Sequence, residues 1–234
     1  MTPFGAVSVA RTGRDLPTKS SAEVPVRDII PAMKKLYRRL RYGEPIIVVS
    51  GLPRSGTSMT MQMLAAAGVP TVTDGVRKPG EDNPKGYYED ERVKELYKED
   101  EDRSWLREAR GKAIKIISFL LKDLPQTNNY RVIFMKRALP EVLASQKKML
   151  ERRDEVDDTS DDRMLEIWEN HLWRVNYLLK HADPFEFLEV SYTNVIENPL
   201  GQARRIRDFL GLRAEPEKMA AAVDESLYRN RAQS

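Results

Sequence analysis

Cysteine is absent from the 234 residues, which excludes a disulfide scaffold, zinc sites of the cysteine type and thiol catalysis, and suits a reducing cytoplasm. Histidine occurs only twice, as His171 and His181, too few for a multi-histidine metal centre. No stretch reaches the roughly 18 consecutive apolar residues of a spanning helix. Met1 to Val24 lacks the apolar run of a secretory signal, and a cytoplasmic location is the expectation. A strong charge of one sign is also missing: 39 Lys and Arg face 36 Asp and Glu, a net +3. That balance argues against a nucleic-acid coat, which carries a large basic excess.

What is present is 41% apolar and 32% charged residues, enough for a core under a charged surface. Residues 1–25, rich in Gly, Ser, Thr and Pro without periodicity, read as a flexible tail, and residues 26–234 as one domain. From Val26 to Tyr42, Ile29, Ile30, Met33, Leu36, Tyr37 and Leu40 recur every three or four positions, opposite Lys34, Lys35, Arg38, Arg39 and Arg41. The pattern is an amphipathic helix. Its ordinary reading is a helix packed on the domain with a solvated basic face; contact with anionic membrane is the less favoured alternative.

Ile46 to Ser50 is a β-branched run bounded by Pro45 and Gly51, the pattern of a buried strand. Thr71–Thr73, Ala113–Ser118, Arg131–Lys136 and Phe185–Val190 are further strand candidates. Helices are expected over Met59–Ala67, Glu91–Arg110, Pro140–Arg152, Asp161–Lys180 and Leu200–Leu210. Residues 77–86 read as loop, and Glu151 to Asp162 as a charge-dense break. Strands alternating with helices predict an α/β fold with a mainly parallel sheet flanked by helices.

The strongest local signal is Gly51-Leu52-Pro53-Arg54-Ser55-Gly56-Thr57-Ser58, set between a buried strand and a helix. Glycines let successive N–H groups converge on an anion, and the helix N-terminus adds partial positive charge. The hydroxyls of Ser55, Thr57 and Ser58 are further donors. A Walker loop has Lys after its second glycine; Thr57 stands there instead, and the cation is Arg54. This disfavours a P-loop phosphotransferase acting on a small molecule, which stays the alternative along with a non-catalytic nucleotide-binding module.

Pro53-Arg54-Ser55-Gly56-Thr57-Ser58 resembles the P-[K/R]-S-G-T-[T/S] loop of the sulfotransferases that use 3′-phosphoadenosine 5′-phosphosulfate (PAPS). Arg137 closes the run Val132–Lys136 with Ser145 eight residues on, similar to that family's pair for the 3′-phosphate. Ser191 to Pro199 followed by Phe209-Leu210-Gly211 resembles its third segment, whose Tyr, here Tyr192, lies near the adenine. The resemblance covers roughly Pro45 to Leu212. It implies a P-loop-type fold, PAPS as co-substrate without a metal, and transfer of a sulfonate to a hydroxyl or amine on a small-molecule or glycan acceptor. Arg54 would neutralise charge on the transferred group. Independently, Arg137 at the end of a strand lies where open α/β sheets bind ligands.

The resemblance also frames the proton transfer. The family's K-x-H segment corresponds to Lys115-Ile116-Ile117, so its histidine is missing and Lys115 is either a group beside the leaving phosphate or an exposed strand lysine. A carboxylate base is then the better candidate. Asn83-Pro84-Lys85-Gly86-Tyr87-Tyr88-Glu89-Asp90 offers Glu89 as base and Lys85 as a sulfonate-side cation, against the alternative of a solvated acidic patch. By the same resemblance Arg229 or Arg231 would close over the 3′-phosphate, against the alternative of a frayed basic tail. The acceptor pocket is expected from the Thr71–Glu91 loop and the Glu151–Asp162 break.

Overall fold

The computed structural model of the chain describes residues 26–75, 88–152 and 159–224, with residues 26–32 as backbone alone. In chain order the elements are α1 (Val26–Tyr42), β1 (Ile46–Gly51), α2 (Thr57–Ala66), α3 (Glu91–Lys94), β2 (Ala113–Lys115), β3 (Tyr130–Lys136), α4 (Leu139–Glu151), α5 (Asp161–His181), β4 (Phe185–Ser191), α6 (Tyr192–Glu197), α7 (Pro199–Leu210) and α8 (Pro216–Ala221). By their contacts Met1–Lys35 and Leu36–Ser234 form separate units; the second contains the sheet, α2 to α8 and α1 from Leu36 onward.

The four strands pair in parallel in the order β2-β1-β3-β4. Val48 lies between Ile114 and Val132 in register, so β1 is central and buried along its whole length. Alternation sorts its side chains between two cores. Ile47 and Val49 join Ile133, Met135 and the inner faces of α2, α6, α7 and α8. Ile46 and Val48 join Val132, Phe134 and Val175 and Leu179 of α5. Both sheet faces are covered, as a parallel sheet demands.

Several helix limits follow from local chemistry. Ser160 caps α5 by accepting from the Arg163 N–H, and Asp161 and Asp162 sit in its positive first turn. Pro199 starts α7, and Gly211 at φ 68° stops it. Between Glu91 and Arg110, however, the expected single helix is replaced by α3 and a tight turn of 3-10 helix, Ser104–Ala109. The short acceptor side chain of Asp102 competes with helix for nearby N–H groups. It accepts bonds from the N–H and hydroxyl of Ser104. Thr71–Thr73 is no strand but a single bridge, Thr71 to Ala113. The strand expected to reach Ser118 ends at Lys115, and another 3-10 turn, Ser118–Asp123, follows.

The α1 helix forms as expected but faces the other way. Arg38, on its basic side, donates to the carbonyls of Phe185 and Pro184, while Leu36, Tyr37 and Leu40 lie in solvent. Of the basic residues Arg38 is therefore anchored, while Leu36, Tyr37 and Leu40 are exposed.

Candidate active site

Parallel pairing brings the C-terminal ends of all four strands to one edge, where such sheets bind ligands. Each end delivers a site residue: β1 runs into the Gly51–Gly56 loop, β2 ends at Lys115, β3 leads to Arg137 and β4 to Tyr192.

The loop is held in an anion-receptive shape. Arg54 adopts φ 67° and Gly56 φ 97°, both left-handed. Gly56 is the N-cap of α2 and brings no side-chain cap, so the helix end is open to an external acceptor. Neither glycine tolerates a side chain. A Cβ on Gly56 would stand 2.5 Å from Cδ2 of Tyr192, and one on Gly51 would meet Ser55 Oγ and the Met135 carbonyl. Pro53 is exposed at the loop's crest, and Thr57 is buried with the first turn of α2. The Ser55 hydroxyl, expected to face an anion, donates to the Leu52 carbonyl at 2.7 Å and braces the loop.

The two motifs joined in the sequence only by resemblance meet in space. Arg54 Nε donates to Ser145 Oγ at 3.0 Å, and Arg137 Nη1 donates to the Arg54 carbonyl at 3.1 Å. Ser145 is buried, so it is no surface serine of α4. Arg137 lies with its Cζ 4.4 Å from the centroid of the Tyr192 ring, a cation–π contact. Its Nε pairs with Glu141 Oε2 at 2.9 Å, the side chains being 6% and 5% exposed. Glu141 went unremarked among the sequence candidates; it sits in the first turn of α4, and Arg137 precedes that helix. Arg137 is thus a strand-end ion pair and a neighbour of Arg54 and Tyr192 at once.

A second group forms on the other side of β1. Lys115 Nζ lies 2.9 Å from Glu89 Oε1 and donates to Ser58 Oγ at 3.3 Å. The Lys115 side chain is 10% exposed, which removes the exposed-lysine reading. Nor is Glu89 part of an undifferentiated acidic patch. Its carbonyl accepts from the Asp74 N–H and the Thr73 hydroxyl. Asp90 is buried, caps α3 and holds Arg92 through two bonds. Glu91 pairs with Lys94 at the surface. Each acid has a separate task, and Glu89 is the one turned to Lys115 and the loop.

Both histidines have structural partners. His171 Nε2 lies 2.8 Å from Ser118 Oγ, and its ring stacks on Phe119 with centroids 3.8 Å apart. Burial, aided by the charge of Arg174, holds its pKa below the usual 6.5. His181 Nδ1 bonds to the Tyr177 carbonyl near the end of α5. Lys85, Arg229 and Arg231, the 77–86 loop and residues 153–158 of the Glu151–Asp162 break lie outside the described residues. Among the described residues no three or more His, Cys, Asp or Glu cluster as a metal site, and no helix is long and apolar enough to cross a membrane.

Residues 91–216, more than half of the chain, match the family model described as "Sulfotransferase family". The match includes Arg137, Ser145 and Tyr192 and begins after the loop, so the loop motif stands as a separate observation. The sulfotransferase STF1 from Mycobacterium tuberculosis superposes with a TM-score of 0.50 at 16% identity, over 82% of this chain and 74% of that one. The sulfotransferase domain from the curacin biosynthetic pathway gives 0.48 at 15%, over 79% and 89%. No curated protein sequence matches the chain.

Proposed function

The chain belongs to the sulfotransferase family, and we propose from that premise that it takes its sulfonate from PAPS and passes it to a hydroxyl or amine acceptor. The observation that carries the choice of donor is the meeting of Arg54, Ser145 and Arg137, which places cations and a hydroxyl of both phosphate motifs in one cluster. A donor with phosphate at both the 5′ and 3′ positions matches that doubled anion site. The loop around Gly51 and Gly56, where a Cβ would collide, suits close backbone approach to an anion.

PAPS supplies an activated sulfonate and leaves as adenosine 3′,5′-bisphosphate. The N–H groups at the start of α2 and the Arg54 guanidinium oppose negative charge on the 5′ side. Arg137 and Ser145 hold the 3′-phosphate, with Tyr192 beneath Arg137. Glu89 accepts the proton of the acceptor, and Lys115, paired with it, keeps the carboxylate ionised and offers a cation beside Ser58. Lys85 at the sulfonate and Arg229 or Arg231 at the 3′-phosphate complete the assignment as proposals from the sequence. A small molecule or glycan is the acceptor class. A phosphotransferase lacks the loop lysine it would need, since Thr57 holds that position.

Calorimetry tests the reading. Adenosine 3′,5′-bisphosphate should bind tightly and 5′-AMP much more weakly, and Arg137→Ala should abolish the difference. Equal affinities in the wild type would overturn the choice of donor. Tight bisphosphate binding without sulfonate transfer to any of a panel of phenols, sugars, amines and peptides would instead leave a nucleotide-binding module.

A further inference from the structure

The α1 helix exposes the side that a helix covering a core would hide. Leu36 is 59%, Tyr37 55% and Leu40 78% exposed. A polar anchor on the opposite side holds this orientation. Arg38 donates to the carbonyls of Phe185 at 2.9 Å, Pro184 at 2.5 Å and Tyr130 at 3.3 Å, and Tyr42 is buried one turn later. Arg39 and Arg41, each one residue from Leu40, fall about 100° to either side of it on the helix. Both are exposed. Arg41 donates to the Tyr37 hydroxyl and Arg39 to Glu44. The exposed apolar stripe is therefore edged by guanidinium groups on both sides, the pattern of a helix lying in a lipid interface.

We propose that α1 docks this protein on an anionic lipid surface, Leu36, Tyr37 and Leu40 entering the acyl boundary while Arg39 and Arg41 meet the headgroups. Charge separates this occupant from a second copy of the chain. In a two-fold dimer the stripe would meet itself and set these cations against their own copies. The anchor carbonyls of Tyr130 and Phe185 open β3 and β4, at the sheet edge opposite the Gly51–Gly56 loop. Docking there leaves the loop facing water and a water-soluble donor. The inference does not depend on the choice of donor.

The full chain is sedimented with vesicles of phosphatidylcholine alone and of phosphatidylcholine with phosphatidylserine. It should pellet only with the second, less so as salt rises. Leu36→Ser with Leu40→Ser should abolish pelleting. Arg39→Gln with Arg41→Gln should weaken it roughly 25-fold, about 5-fold for each cation near the surface. Unchanged circular dichroism and melting temperature certify that these surface variants fold. A wild type that stays in the supernatant overturns the proposal, as does pelleting that both double variants leave intact. A dimer in analytical ultracentrifugation that Leu36→Ser with Leu40→Ser dissociates, without vesicle binding, assigns the stripe to a second copy instead.

Discussion

Replacing Gly56 by alanine adds one methyl group and should disable both halves of the anion site. At φ 97° any residue with a Cβ carries a left-handed penalty of about 1–2 kcal/mol. The new carbon would also stand 2.5 Å from Cδ2 and 3.1 Å from Cε2 of the buried Tyr192 ring. Forcing that ring aside is overpacking, about 1–3 kcal/mol. The sum of about 2–5 kcal/mol corresponds, at roughly 2–4 °C per kcal/mol in a chain of this size, to a melting temperature lower by about 4–20 °C. Tyr192 lies against the Arg137 guanidinium, so its displacement should also weaken bisphosphate binding at a site whose ligands the methyl group does not touch. Differential scanning fluorimetry with and without adenosine 3′,5′-bisphosphate reads both effects. A melting temperature within 1 °C of wild type (about the resolution of the assay) would refute the geometry. Full destabilisation with unchanged bisphosphate affinity would refute the coupling through Tyr192.

Other substitutions test the parts separately. Arg54→Ala should lower turnover by roughly 10²-fold or more through lost charge stabilisation; Arg54→Gly should lose as much turnover yet melt about 2–4 °C higher than Arg54→Ala, because glycine relieves about 1 kcal/mol at φ 67°. Glu141→Gln leaves the buried Arg137 without its carboxylate and should destabilise by about 3–5 kcal/mol, and the bisphosphate should raise its melting temperature more than that of wild type by restoring a counter-charge. His171, whose pKa burial lowers, is neutral in the fold. Its contribution is complete above pH 6.5 and declines as pH falls from there through the folded value. Comparing melting temperatures between pH 5 and 8 (about the range in which imidazole titrates), wild type minus His171→Gln should fall on the acid side; a flat difference would contradict the burial.

What the sequence revealed best was local. The Gly51–Ser58 loop, the strand before Arg137 and the Pro199 and Gly211 ends of α7 each rest on neighbouring residues, and all appear where expected. The Glu91–Arg110 segment was misread as one helix because the turn that Asp102 makes with Ser104 was not considered. The orientation of α1 was not legible at all. Amphipathicity says that a helix has two sides, and only the distant carbonyls that receive Arg38 decide which one is held. Lys115 and Glu89, each ambiguous alone, gain meaning from one distance between residues far apart in the chain.

The strand order has a consequence for how the molecule is made. β1 is the first strand to leave the ribosome, and both of its neighbours are synthesised after it. Until β2 emerges, Ile46 to Val49 is an apolar β-branched segment with two open edges, and until β3 follows one edge stays open, the kind of sequence that pairs with other chains. Parallel, non-local pairing is also slow to form. The nascent chain is thus most prone to aggregation just after its anion loop has been made, and least so once β4 has closed the sheet. Because Tyr192 follows β4, the cluster of Arg54, Ser145, Arg137 and Tyr192 is complete only in a chain whose sheet is finished. A ligand held by that cluster would therefore stabilise only molecules whose assembly is finished.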